Sequence, residues 1–227
     1  MAKKINRTNV KVTSSDIIKL YSKDFEKKLE VDIVTQCAPV ILGEKISNIL
    51  ITEEKNRREA EMMFHYAGFS TYLFYHGNEK VMMLIYNKTI FWDYIRKKEC
   101  SEFLEKYGYN LARENIAYEV FSKIAPKFSA YMKTKQNFPH ELGILLGYPL
   151  KDVQGFIENK GKNFLYSGYW KVYSDLQNAL LTFERYNRAK SVLIKMVLDN
   201  ISIWKILGIF QIPKQEIKEK EYKESAG

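Results

Sequence analysis

The chain has little cysteine and no spaced set of metal ligands. Cysteine occurs only at Cys37 and Cys100 among 227 residues, and no C-x-x-C pair is present. The three histidines, His65, His76 and His140, are far apart in the sequence. Structural zinc sites need closely spaced Cys or His ligands, and disulfide frameworks need more cysteine than this. We therefore expect neither a metal site nor a disulfide framework.

The sequence also lacks a secretory signal and an uninterrupted apolar run. Residues 1–13 are polar and contain no apolar signal segment. The most apolar stretch, residues 192–210, is interrupted by Lys195, Asp199 and Lys205, which disfavours a membrane span. These features predict a cytoplasmic, soluble protein whose residues 192–210 form a buried or homo-oligomer-forming helix.

Nucleotide and nucleic-acid signatures are weak. Neither G-x-x-x-x-G-K-[ST] nor G-x-G-x-x-G occurs in the chain. Lys and Arg number 36 against 27 Asp and Glu, a net charge of +9, but the basic residues are spread along the sequence rather than clustered. The charge alone therefore does not point to a nucleic-acid partner.

What the chain has in quantity is apolar and aromatic residues. They make up 46% and 14% of the sequence, enough to build a folded interior. We expect one α+β domain over residues 14–212, preceded by a polar arm (1–13) and followed by a charged, flexible tail (213–227).

The clearest strands lie near the middle of the sequence. Residues 69–75 and 81–86 are rich in β-branched and aromatic residues around a short turn, which predicts an antiparallel hairpin. Residues 166–173 have the composition of a late strand. Proline at position 39 predicts that the first helix ends near Gln36. The fold class is therefore α+β, with a small antiparallel sheet packed with many helices, predicted over 53–67, 89–98, 101–107, 115–132, 139–146, 149–159 and 175–210.

Residues 139–159 read as helix, turn, helix. Gly143, Gly147 and Val153 fall where a DNA-binding helix-turn-helix requires a small residue, a turn glycine and a buried aliphatic residue. Asp152 and Glu158 on the second helix would face phosphates, which argues against it. A DNA-binding regulator is thus one alternative, and a structural helix pair is the other.

Five short motifs occur in a fixed order along the chain: CAP at 37–39, FPHELG at 138–143, LGYPL at 146–150, ENKGK at 158–162 and GYWKVY at 168–173. With these motifs the chain resembles domain of unknown function family 3793, an uncharacterised bacterial, mainly clostridial family, over most of residues 30–190. The resemblance implies no assigned activity, and it suggests a role in iron or redox physiology. Members tend to carry a cysteine after the late tyrosine. Tyr186 is not followed by one here, so a two-thiol mechanism is in doubt.

Three residues are candidates for chemistry. Cys37 could act as a nucleophile or redox centre with His140 as its partner, and Glu141 could support acid-base work at the start of the same helix. The alternative is that Cys37 is a small buried apolar group. The chain is thus either a thiol or acid-base enzyme centred on Cys37 and His140, or a protein without catalytic activity.

A second group of residues has the composition of a ligand site. Aromatic rings offer large contact areas with polar edges, and neighbouring charges can orient a flat ligand. The leading hypothesis is a cytoplasmic accessory protein that binds a small ligand or a protein partner, with no cofactor identified. The candidate ligand-binding residues are Tyr148, Asp152, Lys160, Tyr169, Trp170 and Lys171.

Overall fold

The computed structural model describes residues 13, 15–16, 20–21, 28–112 and 116–212. The predicted arm, apart from Thr13, and the predicted tail lie outside these residues. Within them the helices are α1 (Lys28–Ile41), α2 (Arg57–Tyr66), α3 (Lys88–Ile95), α4 (Lys98–Lys106), α5 (Ile116–Thr134), α6 (Leu142–Leu145), α7 (Leu150–Glu158), α8 (Leu176–Leu198) and α9 (Ile203–Ile209). The strands are β1 (Ser47–Glu53), β2 (Ser70–His76), β3 (Lys80–Tyr86), β4 (Tyr166–Ser167) and β5 (Lys171–Val172).

The main sheet is antiparallel, with β3 between β1 and β2. Ser47 and Ser70 both pair with Tyr86, so the two outer strands are aligned on the central one. The predicted hairpin is therefore confirmed as β2 and β3, and β1 adds a third strand. The fold class is α+β, as expected from the sequence.

The side chains of β3 alternate between two apolar cores on opposite faces of the sheet. Val81, Met83 and Ile85 belong to a core formed with α1, α2, α8 and α9. Leu84 and Tyr86 belong to a second core formed with α3, α4, α5 and α6. Since successive side chains of a strand point to opposite faces, one apolar strand serves both cores.

A third apolar cluster is smaller than the other two. The β4–β5 hairpin packs on the first half of α8 through Trp170, Val172 and Phe183, which are all buried. Gly168 permits this contact, because a Cβ there would lie 2.3 Å from Cε2 of Phe183. Tyr148, in the connection between α6 and α7, packs against both the second and the third clusters.

Several helix boundaries differ from the prediction. Helix α1 continues through Pro39, because every residue from Cys37 to Ile41 is buried and tertiary packing outweighs the local preference. Helix α5 contains Pro126 in its interior and agrees with the helix predicted over 115–132. The helix predicted over 139–146 is limited to the four residues of α6.

In the last third of the chain the predicted strand and helix are also longer than the elements that form. The strand predicted over 166–173 is two short strands around a tight turn, in which the amide of Gly168 donates to the carbonyl of Trp170. The helix predicted over 175–210 is interrupted after α8, since Asn200 takes a φ of 59° that an α-helix cannot contain. No helix in the described part of the chain is both long and apolar enough to cross a membrane.

Candidate functional site

A cavity lies between α6, α7 and the β4–β5 hairpin, and we call it the α6–α7 cavity. Its volume is about 260 Å³. The lining is mainly apolar and aromatic, and exposed Phe138 brings it to the molecular surface. The lining residues are Phe138, His140, Leu142, Gly143, Leu146, Tyr148, Asp152, Val153, Phe156, Trp170 and Lys171.

Two glycines set the walls of this cavity. Gly143 brings α6 close to α7, because a Cβ there would lie 2.8 Å from Cγ2 of Val153. Gly155 brings α7 close to the segment after β5, because a Cβ there would lie 2.5 Å from Cβ of Tyr173. Larger residues at either position would move α7 and change the shape of the cavity.

Asp152 holds α7 to the hairpin and to the start of α8. One carboxylate oxygen accepts a hydrogen bond from Nε1 of Trp170 at 2.7 Å. The other accepts from the amides of Tyr173 and Ser174 and from the hydroxyl of Ser174, at 2.8–2.9 Å. Asp152 is only 3% exposed, so these four donors compensate a carboxylate removed from water.

Lys171 is the cationic residue of the lining. Its Nζ donates to the carbonyl of Gly161 at 2.6 Å. The same ammonium lies 4.8 Å from the ring centroid of Phe164 and 5.7 Å from that of Phe156. The side chain is therefore already engaged, and it anchors the loop after α7 to β5.

His140 is a lining residue with unused hydrogen-bonding capacity. Its ring lies between Phe138 and Phe156, with centroids 5.6 and 5.5 Å away. Nδ1 is buried without a hydrogen-bond partner. Burial lowers the pKa of His140, more than the nearby Glu141 raises it, so the imidazole is neutral at pH 7.

Behind Tyr148 lies a buried lysine, Lys45. Its Nζ is 5.2 Å from the ring centroid of Tyr148 and 6.0 Å from that of Tyr186, and it donates to Oδ1 of Asn48 at 2.5 Å. No carboxylate of the described residues lies within ion-pair distance of it. Burial lowers the pKa of Lys45 from 10.5 to about 7, an effect that the nearby Lys190 increases.

The cavity brings together five of the nine residues that the sequence suggested: His140, Tyr148, Asp152, Trp170 and Lys171. The other four, Cys37, Glu141, Lys160 and Tyr169, do not line it. The polar residues of the lining thus come from the FPHELG, LGYPL and GYWKVY motifs and from the start of α7, whereas the CAP motif lies elsewhere.

Cys37 lies in the core on the other face of the sheet. Its side chain is fully buried, and burial raises the pKa of the thiol to about 12. A thiol of this kind is protonated at neutral pH and poorly nucleophilic. The structure therefore does not bring Cys37 and His140 into one site.

Glu141 has a structural role outside the cavity. It is 2% exposed and accepts hydrogen bonds from the hydroxyl of Tyr109 at 2.9 Å and from Nζ of Lys127 at 2.7 Å. These contacts connect the start of α6 to α5 and to the loop before it. Glu141 thus fixes the segment that carries His140 without reaching the cavity.

Tyr169 and Lys160 lie outside the cavity as well. The ring of Tyr169 packs against Phe183 and Tyr186, and its hydroxyl donates to Oδ1 of Asn187 at 2.9 Å. Burial raises the pKa of Tyr169 to about 12. Lys160 is exposed, at a left-handed position after α7 with a φ of 51°.

The sequence did not single out the apolar residues of the lining or Lys45. Phe138 and Leu142 belong to the FPHELG motif and Phe156 follows Gly155, so motif membership was the available signal. Nothing in the local sequence distinguishes Lys45 from the other lysines, because its burial results from contacts with Tyr148 and Tyr186, more than 100 residues away.

The two helices of residues 139–159 form a packed corner. Asp152, Val153 and Gly155 of α7 are buried, and Lys151 and Glu158 are exposed with opposite charges. A helix that reads DNA needs an exposed face of donors and cations, which α7 does not present. The arrangement favours the structural interpretation over DNA binding, which stays an untested alternative.

The fold and this site define an α+β protein with an apolar cavity next to a pair of helices. No group of three or more His, Cys, Asp or Glu residues that could hold a metal ion occurs in the described part of the chain. A family model described as "Protein of unknown function (DUF3793)" matches residues 33–207, so the chain belongs to that family. No curated protein and no solved structure matches the chain.

Proposed function

We propose that the protein binds a compact, largely apolar small molecule in the α6–α7 cavity. The observation that carries this proposal is the lining itself, in which aromatic and aliphatic side chains surround about 260 Å³ with few polar groups. Ligand sites of proteins combine these two features. Apolar cavities smaller than this one bind benzene.

The chemistry of the lining supports binding rather than turnover. Asp152 and Lys171 are both engaged within the protein, and Cys37 lies behind the sheet. His140 remains as a single neutral group, whereas acid-base or nucleophilic catalysis requires a second group within hydrogen-bond reach. A role as an accessory ligand-binding protein accounts for these contacts without assigning a reaction. We place that role in the cytoplasm, because both cysteines are free and buried.

Ligand-observed NMR with toluene as the probe tests the proposal. Toluene is expected to bind the native protein and to raise its melting temperature, because a ligand that binds only the folded state stabilises it. Leu146→Trp should abolish both effects by filling the cavity. Leu181→Trp makes the same change at an exposed position of α8 and should leave them intact. Absence of toluene binding to the native protein would refute the proposal.

A self-association surface is a second proposal and rests on different residues. Trp204 and Ile209 are 40% and 47% exposed, and Trp204 packs edge-on against exposed Tyr66 at 5.7 Å. We propose that this patch, which includes part of residues 192–210, joins two copies of the chain, since large exposed apolar patches mark interaction sites. Sedimentation of the native protein and of Trp204→Lys tests it, and a native monomer at high concentration would exclude it.

A further inference from the structure

The imidazole of His140 lines the α6–α7 cavity and has no hydrogen-bond partner within the described residues. Both oxygens of Asp152, Nε1 of Trp170 and Nζ of Lys171 have partners within the protein. Neither ring nitrogen of His140 forms a hydrogen bond within the described residues, and Nδ1 is shielded from solvent. A buried polar atom without a partner costs free energy, so a ligand that supplies the partner gains affinity.

The protonation state of His140 determines which chemical group of a ligand can form a hydrogen bond with it. A neutral imidazole has one N–H donor and one lone pair that accepts. A hydroxyl can serve either nitrogen, since it both donates and accepts, whereas a carboxylate only accepts and an ammonium only donates. The ring is packed between Phe138 and Phe156, so its position in the wall is set before a ligand arrives.

The charges of the lining also restrict the ligand. Asp152 and Lys171 contribute one negative and one positive charge, and each is compensated by contacts within the protein. A charged ligand would lose its hydration in this apolar cavity without gaining a free counter-charge. The remaining surface is made of rings and aliphatic groups, among them Tyr148 and Trp170, whose centroids are 5.2 Å apart.

We propose that the α6–α7 cavity takes a neutral, ring-shaped alcohol of phenol size, whose hydroxyl group bonds to the imidazole of His140 while its ring contacts the aromatic wall. This inference rests on the proposed ligand-binding function and adds the class of ligand. His140 is then the residue that selects hydroxylated rings over plain hydrocarbons of the same shape.

Phenol and toluene form a matched pair of probes, because they differ by a hydroxyl in place of a methyl group. The dissociation constants of both are measured for the native protein and for His140→Phe, which keeps an aromatic ring between Phe138 and Phe156. The ratio of the toluene constant to the phenol constant should fall about fivefold in the variant, the size expected for one hydrogen bond. Because the free probes are the same in both experiments, the difference between their hydration free energies cancels when the two ratios are compared.

A second measurement uses the native protein alone. The side-chain ¹⁵N resonances of His140 should shift on titration with phenol and stay in place with toluene, which decides the question if His140→Phe does not fold. Equal ratios in both proteins, or unchanged imidazole resonances with bound phenol, would overturn the inference and leave the proposed function standing. Failure of both probes to bind would instead refute the proposed function.

Discussion

The buried amine of Lys45 gives the sharpest prediction about stability. Moving an ammonium into an apolar setting without a carboxylate is unfavourable, and it lowers the pKa of Lys45 from 10.5 to about 7. The unfolded state therefore binds a proton at neutral pH that the folded state holds only half of the time. Across the interval between the two pKa values, folding is weakened by about 1.4 kcal/mol per pH unit as the pH falls.

The difference between the folded-state and unfolded-state pKa values of Lys45 determines how much the buried amine destabilises the protein. At pH 7 the buried amine should cost about 4 kcal/mol of folding free energy relative to an exposed lysine. Stability should rise by about 1 kcal/mol between pH 7 and pH 8, because the unfolded state carries more protons in that interval. Below pH 7 the cost approaches a constant value, since Lys45 becomes protonated in both states.

The neighbouring groups determine where the measurement is cleanest. Burial raises the pKa values of Cys37, Tyr148 and Tyr186 to about 12, so these groups destabilise the folded state only as the pH approaches 9 and above, where they ionise in the unfolded state first. Burial also lowers the pKa of Lys190, which adds a slope of the same sign as that of Lys45. Comparing the native protein with a variant of Lys45 between pH 7 and pH 8 separates the contribution of Lys45 to the pH dependence of stability.

The assay is urea unfolding of Lys45→Met at several pH values. Methionine has a similar length and no charge, so the variant should be more stable than the native protein at pH 7 by several kcal/mol, reduced by the lost bond to Asn48. Its stability should also rise less between pH 7 and pH 8. Lys88→Met, at an exposed helix position, is the control and should change neither quantity. Parallel pH profiles for Lys45→Met and the native protein would refute the reasoning.

Three further predictions concern single contacts. Asp152→Ala removes the acceptor of four hydrogen bonds and should destabilise the protein by about 2–4 kcal/mol in urea unfolding, whereas Glu158→Ala, on the exposed side of α7, should change stability little. Gly168→Ala should cost about 1–3 kcal/mol because the added Cβ would overlap the ring of Phe183, and Phe183→Leu in the same chain should recover part of the loss. Both thiols should resist alkylation in the native state and react only after unfolding, and rapid labelling of native Cys37 would contradict its burial.

The central part of the fold could be predicted from the sequence because its signals are local. The β2–β3 hairpin has β-branched and aromatic residues on both sides of a short turn, and α7 begins after a proline. Helix α1 was predicted too short because Pro39 has a strong local effect, while the burial of the residues around it depends on contacts with α8 and the sheet. The break after α8 has no glycine or proline to mark it.

The site could be predicted only in part, for the same reason. The aromatic and charged residues of the late motifs suggested a ligand-binding region, and several of them line the cavity. Cys37 drew attention because thiols are reactive in general, yet its reactivity depends on burial, which a sequence motif does not encode. The burial of Lys45 could not be predicted from the sequence, because an isolated lysine is usually exposed.

Three buried polar groups near Tyr148 and α7 give a reason to look for function there. The buried polar residues beside the main sheet, such as Ser47, Thr52 and Glu141, have hydrogen-bond partners, and Oε2 of Glu54 lies 3.3 Å from Nε2 of His76. Nδ1 of His140 and the hydroxyl of Tyr173, in contrast, are buried without partners near α7, and Lys45 is buried without a counter-charge behind Tyr148. Selection for stability alone would replace such groups with apolar ones of similar shape. Proteins retain local features of this kind mainly where function requires them, so the α6–α7 cavity and its surroundings are where ligand binding should be tested first.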